Sequence, residues 1–392
     1  MKAKFTFVLI FLLSTFFMVS NSWSQGCVAI RGGMGCSGIS VGGNNLVSLS
    51  KGQWQASLGY RYFKSFRHFR GSHEETERVA NKTEVINYSH TADVGLSYGL
   101  TKRFSLNINL PVNFYDRSSL YEHYGNSVEA NPQQKRFHTD ASGIGDLRVS
   151  GTYWLFDPEK HGTGNLSLGL GVKAPTGNSN VQDDFHKLDE NKQDYTVRRA
   201  VDQSIQLGDG GWGFNVEVQG FQSILPRLSA YFTGFYLFNP RNTNETLTRG
   251  TLNNVDPIIA YHSVADQFSA RLGLSYVLLP QSNFVLNLGG RIEGVPAKDL
   301  IGDDQGFRRP GYVMSVEPGI FYAYKDAVLS LSVPVALYRN RVKSVYDLAD
   351  ATGKRHGDAA FADYLISTSV AYRFGGKHTM KPDSMFKDVP AK

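Results

Sequence analysis

The sequence predicts an all-β fold: a transmembrane antiparallel β-barrel of about twelve strands with both termini on the periplasmic side. Three observations carry this. Apolar and polar residues alternate again and again along the chain, the alternating segments run to about 10–13 residues, and their connections are alternately short and long.

The first 25 residues read as a signal peptide. Lys2 and Lys4 precede an apolar run from Phe5 to Val19, and Ser22 and Ser24 stand before a cut near Gln25. That run is short for a helical span, which needs about 20 residues. Charged residues make up 19% of the chain and mean hydropathy is −0.28, which excludes a bundle of membrane helices. The net charge of +6 is scattered, so nucleic acid is not an expected partner.

Residues 26–51 form a Gly-rich segment that carries both cysteines, Cys27 and Cys36. It reads as a plug or as a periplasmic linker. Export favours a Cys27–Cys36 disulfide, with lipidation of Cys27 as the alternative. Neither cysteine has the neighbours of a metal site, and no cofactor is expected.

The barrel is expected over 52–374. Arg103 to Phe114 is the clearest strand: Phe104, Leu106, Ile108, Leu110, Val112 and Phe114 point one way, and Ser105, Asn107, Asn109 and Asn113 the other. A soluble sandwich alternates in the same way, so length decides. Strands are read at 52–64, 88–99, 102–114, 144–156, 163–173, 212–221, 227–239, 266–278, 283–293, 312–324, 328–338 and 363–374. Eleven residues at about 3.3 Å each, tilted by about 40°, rise roughly 28 Å, which matches the apolar band of an outer-membrane barrel.

Short turns fall at Leu100–Thr101, Asp157–Gly162, Gln222–Pro226, Leu279–Ser282 and Lys325–Ala327. Structureless polar loops are expected at 65–87, 115–143, 174–211, 240–265, 294–311 and 339–362, and compact soluble domains rarely carry so many. Aromatic pairs at strand ends (Tyr60 and Tyr62, Phe114 and Tyr115, Tyr153 and Trp154, Trp212 and Phe214, Tyr236 and Phe238, Tyr322 and Tyr324) are expected in interfacial girdles. A polar tail, 375–392, ends the chain. The last strand presents Tyr364, Ile366, Thr368, Val370, Tyr372 and Phe374 on one face, a pattern that resembles the signal read by barrel assembly machinery.

Parity selects the inward side chains, because a charge facing lipid at mid-membrane costs about 2–4 kcal/mol. The candidate pore-lining set is Arg61, Asp93, Asp146, Arg148, Lys173, Glu217, Arg271, Arg291, Glu293, Glu317 and Arg373. Mixed signs fit either an ion-paired wall around water or a zipped interior.

Catalysis is not expected. His90 sits on the apolar face with no Ser two residues away, and His262 and Ser263, as strand neighbours, should face opposite ways. The acidic loop residues Asp183, Asp184, Asp189, Glu190 and Asp194 match no calcium-loop spacing.

Three Gly-rich stretches carry a resemblance. They are Gly143-Ile144-Gly145-Asp146-Leu147, Lys173-Ala174-Pro175-Thr176-Gly177 and Gln206-Leu207-Gly208-Asp209-Gly210-Gly211-Trp212, with Leu207 and Asp209 departing from the pattern. In order and spacing, over roughly 52–374, the chain resembles the outer-membrane proteins grouped as the phenol meta-pathway transporter family. The resemblance implies a barrel for uptake of small, often aromatic or apolar compounds. The expected function is an outer-membrane channel or transporter for passive passage of small solutes. A non-conducting barrel with surface-interaction loops is the alternative, and a membrane-embedded hydrolase a further one. The expected partners are outer-membrane lipid, a small-molecule solute and, during biogenesis, the assembly machinery.

Overall fold

The computed structural model describes residues 48–279 and 283–376. The signal peptide, most of the cysteine-bearing segment with Cys27 and Cys36, and most of the tail lie outside the described residues.

Twelve antiparallel strands close into a barrel. They are β1 (Gln53–Arg70), β2 (Ile86–Gly99), β3 (Phe104–Ser119), β4 in two pieces (Phe137–Ile144 and Leu147–Trp154), β5 (Gly164–Ala174) and β6 (Gly213–Leu225). Then follow β7 (Leu228–Phe238), β8 (Gln267–Leu279), β9 (Phe284–Val295), β10 (Gly311–Tyr324), β11 in two pieces (Ala327–Ser332 and Val335–Asn340) and β12 (Ala359–Gly375). Each pairs with the next, and β12 closes on β1 from Gln53↔Gly375 to Phe69↔Ala359. The even count puts both ends of the wall at the rim of the short turns, opposite the rim of the long loops.

The period of two sorts the side chains as the sequence requires. Leu58, Leu170, Leu272, Leu288 and Leu337 on the outer face are each more than half exposed. Asn107, Asn113, Asn215 and Ser275 on the inner face are nearly or fully buried. An apolar belt outside and polar groups inside invert a soluble protein, and only lipid makes that arrangement favourable. Trp54 packs against Tyr98 at 4.4 Å near the turn rim, and Phe214 stacks on Phe238 at 4.7 Å near the loop rim. Both are outward aromatic contacts near a rim of the wall, as expected of interfacial girdles. Tyr115 and Trp154 do not join them. Adjacent strand residues face opposite ways, so Tyr115 lines the interior, and Trp154 packs inside with Phe221 and Tyr231.

Turn chemistry fits the short connections. Arg227, Asn283 and Lys325 adopt positive φ (70°, 52° and 52°) at three of the turns. β11 breaks at Val333-Pro334, because Pro334 has no N–H to give the ladder.

Two further expectations of the fold need correction. The first concerns strand ends. β1, β3, β4 and β12 run beyond their expected limits at the loop rim, and the first β4 piece, all but Ile144, lies in a stretch read as loop. Its outward residues, His138, Asp140 and Ser142, are polar because they stand above the apolar belt, so the alternation that marks a lipid-facing strand is missing. That piece pairs with β3, from Val112↔Ile144 to Ser119↔Phe137, while β5 pairs with the second piece.

The second concerns the loops, which have their own structure. Gln182–Leu188 pairs with Asp194–Ala200, and Thr243–Leu247 with Tyr261–Ser263. Short helices α1 (Thr76–Ala80) and α2 (Val345–Leu348) complete them, and α2 opens on a capping box between Ser344 and Asp347. Phe185, Val201, Ile205 and Val264 are essentially fully buried. The loops thus pack as a cap over the mouth.

Candidate functional site: the clasp, the cap and the lumen

The break in β4 positions the first element of the site. Gly145 and Asp146 leave the ladder, and Asp146 turns its carboxylate to the two ends of the loop between β5 and β6. Oδ1 accepts the Gly177 N–H at 3.0 Å, and Oδ2 accepts the Asp209 N–H at 3.1 Å. Lys173, at the end of β5, pairs with the Asp209 carboxylate. Thr176 Oγ1 donates to the Gly145 carbonyl at 2.8 Å and accepts the Leu147 N–H at 2.9 Å. All three Gly-rich stretches therefore meet in one clasp.

The glycines are there for close approach. A Cβ on Gly208 would sit 2.4 Å from Asp146 Oδ1, and one on Gly177 2.8 Å from Gly208 N. The two departures from the family pattern take part as well. Leu207 is buried, its carbonyl accepts from Asn113 Nδ2 at 3.4 Å, and Asp209 is the partner of Lys173.

Above the clasp, buried ions tie the loops together. Arg117 pairs with Glu122 at 2.9 Å and reaches Asp202 at 3.4 Å. Arg309 grips Asp202 through two bonds of 2.8 and 2.5 Å. Burial pushes the Asp202 carboxyl up, but the Arg117 and Arg309 charges outweigh it and hold the group well below the usual range. Arg308 and Asp299 form a second bidentate pair, each about 1% exposed. Burial pushes His123 and His262 down to about 4, which keeps both imidazoles neutral.

The sequence singled out none of Arg117, Glu122, Asp202 or Arg309. Arg117 ends β3 and the other three lie in three different loops, with no common motif. Asp202 alone has a local signature, its Oδ1 accepting the Ser204 N–H at 2.9 Å to cap a helical turn.

The eleven lumen candidates fall into separate groups. Arg61 pairs with Asp93 at 2.8 Å. Arg271 meets Glu317 at 3.3 Å, and Arg291 bridges Glu293 at 2.6 Å and Glu317 at 3.7 Å. Glu217 accepts from Asn215 Nδ2 at 2.7 Å, and Arg148 lies over the Phe235 ring at 5.3 Å. Asp146 and Lys173 belong to the clasp, and Arg373 bonds Gln55 Oε1 at 2.8 Å near the turn rim. Eight of the eleven are buried and the side chains of Arg61, Asp93 and Arg271 are less than a fifth exposed, so the interior is tightly packed with ion pairs. A cavity of about 160 Å³ remains beside the clasp, with Arg61, Asp146, Arg148 and Lys173 in its lining.

Ser263 and His262 both border this cavity, although the strand period predicts opposite faces. The strand that holds them is only three residues long, Tyr261–Ser263, and lies in the cap, so the wall's parity does not govern it.

A closed twelve-stranded antiparallel barrel with an apolar belt, aromatic rims and a polar interior defines a transmembrane barrel of the outer-membrane class. No protein-family model and no curated protein sequence matches the chain. Among solved structures it is similar to the COG4313 outer membrane channel from Pseudomonas putida F1, with TM-score 0.51 and 15% identity over 83% of this chain and 97% of that one. The P. putida toluene transporter TodX aligns at TM-score 0.40 and 11% identity over 84% and 91% of the two chains. A Pseudomonas aeruginosa FadL homologue aligns at 0.38 and 8%, over 90% and 98%. At such identities the likeness is one of fold.

Proposed function

We propose that this protein is a passive outer-membrane channel or transporter for small solutes, apolar or aromatic ones among them. One observation carries the reading: the barrel wall and the cap leave a cavity inside the lumen, walled by the clasp that joins β4, β5 and the loop before β6. A barrel built only to display loops has no use for a space there. The packed interior means that a solute moves only when cap or clasp gives way, so passage is gated rather than porin-like.

The apolar or aromatic class follows from the resemblance to the phenol meta-pathway group, whose three stretches have a joint structural role in the clasp. The neighbouring channel from P. putida F1 supports the channel reading at the level of fold. A non-enzymatic role is part of this proposal, and so are the pore-lining roles of the eleven charged residues. Assembly machinery as a biogenesis partner, the periplasmic placement of the turn rim and a plug at 26–51 belong to the proposal too.

The ordered cap favours one second reading, a non-conducting barrel whose loops bind at the surface. Planar-bilayer recording of the refolded chain, with and without residues 26–51, separates the two. Discrete current steps in either form support the channel. Silence in both, with heat-modifiable migration proving the barrel folded, overturns it.

A further inference from the structure

The cavity beside the clasp has a chemistry of its own. Phe63, Leu237 and Val295 give it apolar surface, and Arg61, Arg148, Lys173 and Arg309 reach it with cationic heads. Arg61, Lys173 and Arg309 are matched by Asp93, Asp209 and Asp202 respectively, and Arg148 lies over the Phe235 ring and interacts with the Glu217 carboxylate. The carboxylate in its wall, Asp146, is held by two backbone N–H groups. A charged solute would have to separate one of these pairs and leave a buried charge alone, whereas a neutral solute leaves them intact.

Two lining side chains differ from the rest. His262 Nδ1 and Ser263 Oγ are buried and have no hydrogen-bond partner among the described residues. The residues are 1% and 2% exposed. A buried donor or acceptor left unmatched is a cost that a ligand's hydrogen bond removes. Recognition requires a half-turn of the imidazole about χ2 and a rotation of the Ser263 hydroxyl about χ1, so that these atoms meet the solute. Burial keeps His262 neutral, so its ring offers one donor and one acceptor rather than a positive charge. The volume, about 160 Å³, suits one small ring, since a cavity of roughly 150 Å³ holds benzene.

We propose that this cavity is a binding site for one neutral solute of about single-ring size that carries a hydrogen-bonding group, recognised by His262 and Ser263. The site rests on the solute-passage reading, but its test does not use passage. Three probes share a skeleton and differ in one group: benzyl alcohol is neutral and hydrogen-bonding, benzoate is anionic, toluene is apolar. Each is titrated calorimetrically into the purified full chain in detergent, against protein-free detergent.

Benzyl alcohol should saturate one site per chain and bind roughly tenfold or more tightly than either other probe. Ser263→Ala combined with His262→Leu should weaken it by roughly tenfold, and His262→Gln, which keeps a donor and an acceptor, should change it by about threefold or less. Ser263→Ala alone serves if the double variant does not give a heat-modifiable barrel. Preference for benzoate, equal binding of toluene, benzyl alcohol binding that no variant alters, or no saturable binding overturns the site. Conductance without binding removes the site and leaves the channel; binding with silent bilayers does the reverse.

Discussion

Asp202 and Arg309 meet through two hydrogen bonds across 107 residues of sequence, and the pair locks the loop before β6 to the loop before β10. Arg117 at the end of β3 shares the same carboxylate at 3.4 Å. The cap is therefore anchored to the wall by one buried anion between two cations.

Asp202→Asn should unfasten this anchor. Two buried guanidiniums would lose their common counter-charge, at a cost of roughly 3–5 kcal/mol. Limited proteolysis should cut within 175–212 and 296–310 far faster than in the parent, while the barrel still migrates heat-modifiably. An unchanged cleavage pattern would mean that the cap is held elsewhere.

Asp146→Ala should free the loop from the wall, because the Gly177 and Asp209 N–H groups lose their acceptor. If clasp and gate are one, bilayer recordings should show larger or longer current steps. Gly208→Ala should act in the same direction, since its Cβ would meet Asp146 Oδ1 at 2.4 Å. Two silent or unaltered variants would separate the clasp from gating.

Acid should loosen the cap. His123 and His262 have ordinary values near 6.5 when freed and about 4 in place. Above pH 6.5 both states are neutral and nothing changes. Between 6.5 and 4 the freed histidine takes a proton that the packed one refuses, so the packed form loses up to about 1.4 kcal/mol per pH unit per group. Hydrogen exchange of the cap amides should accelerate from pH 6.5 to 4.5, after correction for intrinsic rates, and His262→Leu should flatten part of that slope.

Glu317→Gln should leave Arg271 and Arg291 short of a counter-charge in the lumen. The reversal potential in a salt gradient should shift toward anion selectivity. An unchanged reversal potential would place this cluster off the ion path.

Leu272→Arg probes the outer face, where Leu272 is 64% exposed. A charge near the bilayer midplane should lower folding stability by about 2–4 kcal/mol in lipid vesicles. Arginine at inward Ser275, which is buried, should fail by crowding instead, and in detergent as well as in lipid.

The wall was legible because lipid imposes a strict rule on it. β2, β5 and β7 lie within two residues of their expected limits, since each residue there faces either hydrocarbon or polar interior. The rule lapses above the belt. His138 and Asp140 form a strand with neither face in hydrocarbon, so their alternation carries no signal. In the site, the three Gly-rich stretches were visible one by one, but not their meeting, which depends on Asp146 reaching residues 31 and 63 positions away. The cap ions were invisible for the same reason: Arg117, Asp202 and Arg309 have no spacing in common, and only the folded loops bring them together.

The clasp also bears on the order in which the barrel forms. Its most distant partners, Asn113 and Leu207, are 94 residues apart, whereas Arg373 and Gln55 across the seam are separated by 318. Joining distant points costs more chain entropy than joining near ones, and non-local pairings form late. A chain inserting into the membrane can therefore knot β4, β5 and the start of β6 into a fixed local unit early. The β12–β1 seam is left as the last joint, with the lumen's inner fittings already in place when the wall shuts around them.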